Sequence, residues 1–223
     1  MNKISGLVAL GLTLLLASCG GGPAPVPTES DPPVTQISGH VTGGIGSGTV
    51  TLPSSRGTLA QAPVDAQGNF VLTLPAAEKF AADLKTTEQV LSGIGCEGQL
   101  TSSVPAAKGY AVATLNAERT GLKDSVYAAN LEIQYLPPKG KLTAYAWLYT
   151  DRATHLTGNL NCSKLVNNAL QINLGVDVQT RSGWNVIEIY AEGLQSMNGN
   201  MRAVFGSSTN WRTATELRAQ LPF

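Results

Sequence analysis

The chain has 223 residues, and its 15 basic and 15 acidic residues give a formal net charge of zero. Charged residues make up only 13% of it and form no basic patch, so a nucleic-acid partner is not expected. After the N-terminal residues no segment approaches eighteen consecutive apolar residues, so the sequence predicts no membrane-spanning helix in the mature chain.

The N-terminus has the order of a secretory signal. Lys3 is followed by an apolar run from Ile4 to Leu16, which is too short to span a bilayer core of about 30 Å. The run ends in Leu16-Ala17-Ser18-Cys19, which resembles the lipobox of bacterial lipoproteins. The resemblance implies that residues 1–18 are a signal peptide. It also implies that Cys19 is joined to diacylglycerol, becomes the new N-terminus and is acylated again.

The same resemblance implies a location. We expect a lipid-anchored protein at the bacterial cell membrane, or at the outer membrane if the producer has one, facing the periplasm or the exterior. Residues 19–35 are rich in Gly and then in Pro, which predicts a tether that is first flexible and then extended. At about 3.1 Å per residue, this tether could hold a folded body up to roughly 40 Å from the bilayer. A proline-rich recognition ligand is the alternative.

Residues 36–76 alternate between apolar and polar side chains, as in β-strands. The strings ISGHV (37–41), GTVTL (48–52) and DAQGNF (65–70) resemble a carboxypeptidase regulatory-like domain. The resemblance implies a small transthyretin-like β-sandwich. The stretch is shorter than the family's usual length, so the alternative is that it supplies only the opening strands of a sheet completed later in the chain.

The rest of the chain predicts a short helical connector over residues 77–97 and a second β-rich region over residues 98–223. Capping boxes are expected at Thr86 with Gln89 and at Thr213 with Glu216. Residues 171–178 and 184–191 predict a hairpin, and Asn198-Gly199 predicts a further hairpin turn. The expected fold is therefore an all-β β-sandwich, built as one large or two small antiparallel units with short connecting helices.

Two cysteines remain once Cys19 carries lipid. In an oxidising compartment, Cys96 and Cys162 are expected to bond to each other. The alternative is a pair of buried free thiols.

One aromatic stripe is a possible ligand platform. Tyr145, Trp147 and Tyr149 lie two residues apart, so a strand places their rings on one face. If that face is open, the rings can stack on sugars. The intervening Ala146 and Leu148 are also apolar, which favours a strand buried on both sides and core packing for the rings.

The sequence predicts no catalytic residues, no metal site and no cofactor. The only histidines are His40 and His155, and no G-x-S-x-G elbow accompanies Asp151, four residues before His155. Residues 93–98 match G-x-G-x-x-G but lack the strand-to-helix context that a dinucleotide site needs.

Two functions stay open. The first is a non-enzymatic binding or structural protein, with the membrane as one partner through the lipid anchor and an envelope protein or polysaccharide as the other. The alternative is a glycan-active or other hydrolase that uses carboxylates of the C-terminal β region, with Glu188 and Glu192 as the first candidates. That alternative requires two carboxyl groups about 5–10 Å apart in a cleft.

Overall fold

The computed structural model describes residues 32–92, 96–136, 138–166, 171–194, 196–207 and 210–220, and most of them lie in strands. The strands are β1 (Gln36–Val41), β2 (Ile45–Ser54), β3 (Gly57–Val64), β4 (Asn69–Thr73), β5 (Lys85–Thr86), β6 (Glu97–Ser102), β7 (Lys108–Val112), β8 (Leu115–Thr120), β9 (Leu122–Tyr135), β10 (Pro138–Thr150), β11 (Thr154–Asn161), β12 (Gln171–Thr180), β13 (Gly183–Gly193), β14 (Ser196–Val204) and β15 (Asn210–Thr213). The helices are α1 (Thr87–Ser92) and α2 (Ala214–Ala219), with 3₁₀ turns at Ala77–Lys79, Ala81–Asp83 and Ser163–Val166.

The all-β class is confirmed, but the plain sandwich is wrong. Seven strands close into a barrel in the order β15-β1-β4-β3-β2-β8-β9. The barrel closes because β15 uses both of its edges, pairing parallel with β1 and antiparallel with β9. Strands β1–β4 therefore belong to a barrel that β8, β9 and β15 complete.

One buried cation holds the loops at an end of this barrel. Arg119 is the only charged side chain buried in the described part of the chain. Its guanidinium donates to the backbone carbonyls of Val41, Gly43, Gly46 and Ala66 over 2.8–3.2 Å. Burying this charge is tolerated because its N–H groups are shared among fixed carbonyl oxygens.

The remaining strands form a second sheet. Its order is β10-β13-β14-β12-β11-β6, and β7 pairs with β10 and β5. Residues Ala129–Tyr135 of β9 pair with β10 and so connect this sheet to the barrel. Helix α1 contacts both β6 and β7, which lie at opposite ends of the sheet. The sheet therefore curls, and the buried Val90 and Leu91 of α1 pack in the core that it encloses.

Two hairpin predictions in the second sheet are wrong. Strands β12 and β13 are consecutive in the chain, but β14 lies between them and pairs parallel with β12. Asn198 and Gly199 lie inside β14 and form no turn. Gly199 instead permits close strand packing, because a Cβ there would lie 1.7 Å from the carbonyl oxygen of Tyr190.

Both predicted capping boxes are confirmed. Thr213 accepts a hydrogen bond from the Glu216 amide at 3.1 Å, and Glu216 accepts from the Thr213 amide at 2.7 Å. Thr86 and Gln89 make the same reciprocal pair before α1, with both bonds at 3.4 Å. Each box satisfies amides that the first helical turn would otherwise leave unpaired.

Strand β10 divides two cores. Trp147 is buried on the face toward the barrel, and Leu148 is buried on the face toward α1. The rings of Trp147 and the barrel residue Trp211 stack with centroids 5.3 Å apart. This stack joins the second sheet to the barrel interior.

Candidate functional site

The cysteine predictions have different outcomes. Cys19 lies outside the described residues, so its lipidation stays a prediction. Cys96 and Cys162 are disulfide-bonded, which confirms the predicted pair. The bond ties the start of β6 to the end of β11, and both residues are buried.

The aromatic stripe packs the interior of the molecule. Trp147 is 1% exposed, and one face of its ring is covered by Trp211. Tyr149 contacts Phe80 and Trp184 edge-on, with ring centroids 5.1 and 5.6 Å away. Burial raises the pKa of the half-buried Tyr145 and Tyr149 above the ordinary value of tyrosine. These rings are arranged as a core and leave no continuous open stacking surface.

His155 and Asp151, which lie four residues apart in the sequence, have different partners. Nε2 of His155 lies 2.6 Å from Oδ1 of Asp177, while Asp151 accepts from the Lys108 amide at 2.8 Å. His40 contacts Asn69 at 3.4 Å. The described residues contain no group of three or more His, Cys, Asp or Glu side chains that could hold a metal. The glycine motif at 93–98 falls partly outside the described residues.

The two candidate catalytic carboxylates are held in separate ion pairs. Glu188 pairs with Arg202 at 2.7 Å and accepts a hydrogen bond from Tyr145. Glu192 pairs with Lys139 at 2.7 Å, and this hydrogen bond lowers the pKa of Glu192. Glu188 and Glu192 are four residues apart on one strand, which places their Cα atoms about 13 Å apart. Glycoside hydrolysis uses two carboxyl groups about 5–10 Å apart in one cleft, whereas these two belong to separate ion pairs.

A polar surface that the sequence analysis missed lies on the outer face of the second sheet. Strand register aligns two rows of outward-facing residues across it. One row is Glu97, Asn161, Asn173, Asn198, Glu192, Lys141 and Glu132. The next row is Gln99, Asn159, Gly175, Asn200, Tyr190, Thr143 and Asn130. We call the part formed by Asn159, Asn161, Asn173, Gly175, Asn198 and Asn200 the amide face.

Three asparagines of the amide face form a hydrogen-bonded ladder. The side-chain Nδ2 of Asn161 donates to Oδ1 of Asn173, and Nδ2 of Asn173 donates to Oδ1 of Asn198, both at 3.5 Å. Each amide carries two N–H donors and an oxygen with two lone pairs. These two contacts are long for hydrogen bonds, and the exposed amides keep donors and acceptors for a ligand.

The residues of the amide face other than Asn200 line a shallow depression of about 450 Å³. Side chains from β6, β11, β12 and β14 line it, and Gly175 contributes backbone alone. All five asparagines are exposed. The depression is therefore a place where a ligand could contact several amides together.

No known family model, curated protein or solved structure matches this chain. Neither helix in the described ranges is long and apolar enough to cross a bilayer.

Charges around the amide face are paired. Glu97 is bonded to Lys164, Glu192 to Lys139, and Arg202 to Glu188. Asp177 lies against His155. The surface consequently presents neutral amides surrounded by compensated charges, and it has no strong field that would select an ion.

One sequence signal could have indicated this surface. Asparagines recur two residues apart at Asn159 and Asn161 and again at Asn198 and Asn200. On a strand this spacing puts both members of a pair on one face. The second pair was missed because Asn198-Gly199 was interpreted as a hairpin turn.

Proposed function

We propose that this protein is an exported, lipid-anchored, non-enzymatic binding protein of the bacterial cell envelope, and that the amide face is its binding surface. The order Lys3, apolar run, Leu16-Ala17-Ser18-Cys19 supports export and lipidation. The Cys96–Cys162 disulfide is consistent with an oxidising compartment.

The observation that carries the binding role is the amide face itself. It combines exposed amides from three adjacent strands, β11, β12 and β14, and side-chain contacts of 3.5 Å link three of them. Because Glu188 and Glu192 are separated and ion-paired, the binding role is favoured over the hydrolytic alternative.

Lipidation is tested by metabolic labelling of producing cells with an alkyne fatty acid. Wild-type protein should carry the label, and Cys19→Ser should lose it because no thiol is left to form the thioether. The matched control replaces the two other cysteines, Cys96→Ala with Cys162→Ala, and should keep the label on whatever protein accumulates. A Cys19→Ser protein labelled as strongly as wild type would contradict the anchor.

A further inference from the structure

We propose that the amide face binds a neutral polysaccharide chain of the cell envelope, which lies across β11, β12 and β14 and approaches the backbone most closely at Gly175. This inference names the ligand class for the binding surface of the proposed function and therefore rests on that function.

The first support is a glycine that the fold does not need. Gly175 lies in the interior of β12 on its outward side, between Asn159 and Asn200 in the strand register. A Cβ at 175 would meet only the Gly199 carbonyl oxygen, at an ordinary 3.8 Å. Gly199 differs, since its Cβ would collide with backbone at 1.7 Å.

An unneeded glycine in a strand interior is costly. Glycine in a strand interior lowers the stability of the folded protein by roughly 0.5–1 kcal/mol relative to alanine, because glycine loses more conformational freedom on folding. Its other common role in strands is to let a ligand or another backbone come close. Apart from the chain neighbours of Gly175 and the Gly199 carbonyl oxygen, no described atom lies within 4 Å of that Cβ position, so the space above Gly175 is open to an external ligand.

The second support is the chemistry of the amides. A sugar hydroxyl both donates and accepts hydrogen bonds, and an asparagine amide offers both functions without charge. The charged groups at the margin are already paired with each other, so an anionic chain would gain little and would have to compete for Lys139, Lys164 or Arg202. A neutral polyhydroxylated ligand matches this surface.

The third support is the repeat of the surface. Neighbouring strands are about 4.8 Å apart, and alternate residues along a strand are about 6.6 Å apart. The amides therefore form a grid, open at its sides, that can contact successive units of an extended chain. Enclosed pockets are the usual sites for small molecules, and this depression is shallow and open.

The test uses Gly175→Thr in the full mature protein purified in detergent. Threonine fills the gap with a side chain suited to strands. We therefore expect the unfolding midpoint in urea to stay the same or rise. Retention on immobilised neutral polysaccharide, purified from the producer's envelope, should weaken at least tenfold. Gly206→Thr is the matched control, because a Cβ there meets nothing within 4 Å and lies outside the amide face.

Several outcomes would overturn the proposal. These are no retention of wild type on the neutral fraction, equal retention of Gly175→Thr and wild type, or stronger retention on the anionic fraction of the same envelope. Asn173→Ala provides a second variant that removes the centre of the ladder and should also weaken retention. The retention assay uses purified protein, so a negative result in it leaves the fatty-acid labelling at Cys19 unaffected. Loss of the labelling would likewise leave the retention result unaffected.

Discussion

Replacing Cys96 and Cys162 together with alanine is expected to lower the free energy of unfolding by about 4 kcal/mol. The bond joins residues 66 positions apart, so cutting it frees a long loop in the unfolded chain. It also releases β6, whose only strand partner in the described sheet is β11.

Urea unfolding measures this effect. The double variant should unfold at a clearly lower urea concentration than the oxidised wild type. Wild type treated with a reductant is the control, and it should unfold close to the variant. If oxidised wild type, reduced wild type and the variant share one midpoint, the disulfide does not stabilise the fold and the prediction is wrong.

Trp147→Ala is expected to cost about 3–5 kcal/mol of unfolding free energy, the range for truncating a buried large aromatic residue. Trp147 is 1% exposed and stacks on the fully buried Trp211. Its removal leaves a cavity at the place where the second sheet meets the barrel.

A milder change at the stacking partner is the control. The indole N–H of Trp211 has no hydrogen-bond partner among the described residues, so Trp211→Phe loses no hydrogen bond. It should therefore cost less than Trp147→Ala in the same urea experiment. Equal losses for the two variants, or a loss below about 1 kcal/mol for Trp147→Ala, would contradict a structural role for the stack.

Local features of the fold could be predicted from the sequence. The alternation at Ile37, Val50 and Leu72 identifies buried strand faces, and all three side chains are buried in the barrel. The capping box at Thr213 depends on residues only three apart. The disulfide followed from the number of cysteines and the expected oxidising compartment.

Barrel closure could not be predicted in the same way. It depends on β15 pairing with β1, which brings Asn210 beside His40. The alternation of apolar and polar residues along a strand indicates which way each side chain faces. The alternation carries no information about which distant strand lies beside that strand. The insertion of β14 between β12 and β13 was missed for the same reason.

Part of the candidate site could be predicted from the sequence. The spacing of Asn159 and Asn161 shows that both face one way, but their meeting with Asn173 and Asn198 depends on register across β11, β12 and β14. Gly175 carried no signal by itself. Its meaning depends on the empty space that only the assembled sheet reveals.

The most direct measurement is a titration followed by NMR. Protein labelled with nitrogen-15 is mixed with oligosaccharides released from the producer's neutral envelope polysaccharide. The side-chain amide signals of Asn173 and Asn198 should shift, and that of Asn116, on barrel strand β8, should stay in place. Unmoved signals from Asn173 and Asn198 at saturating ligand, or shifts confined to the barrel, would contradict the amide face as the binding surface.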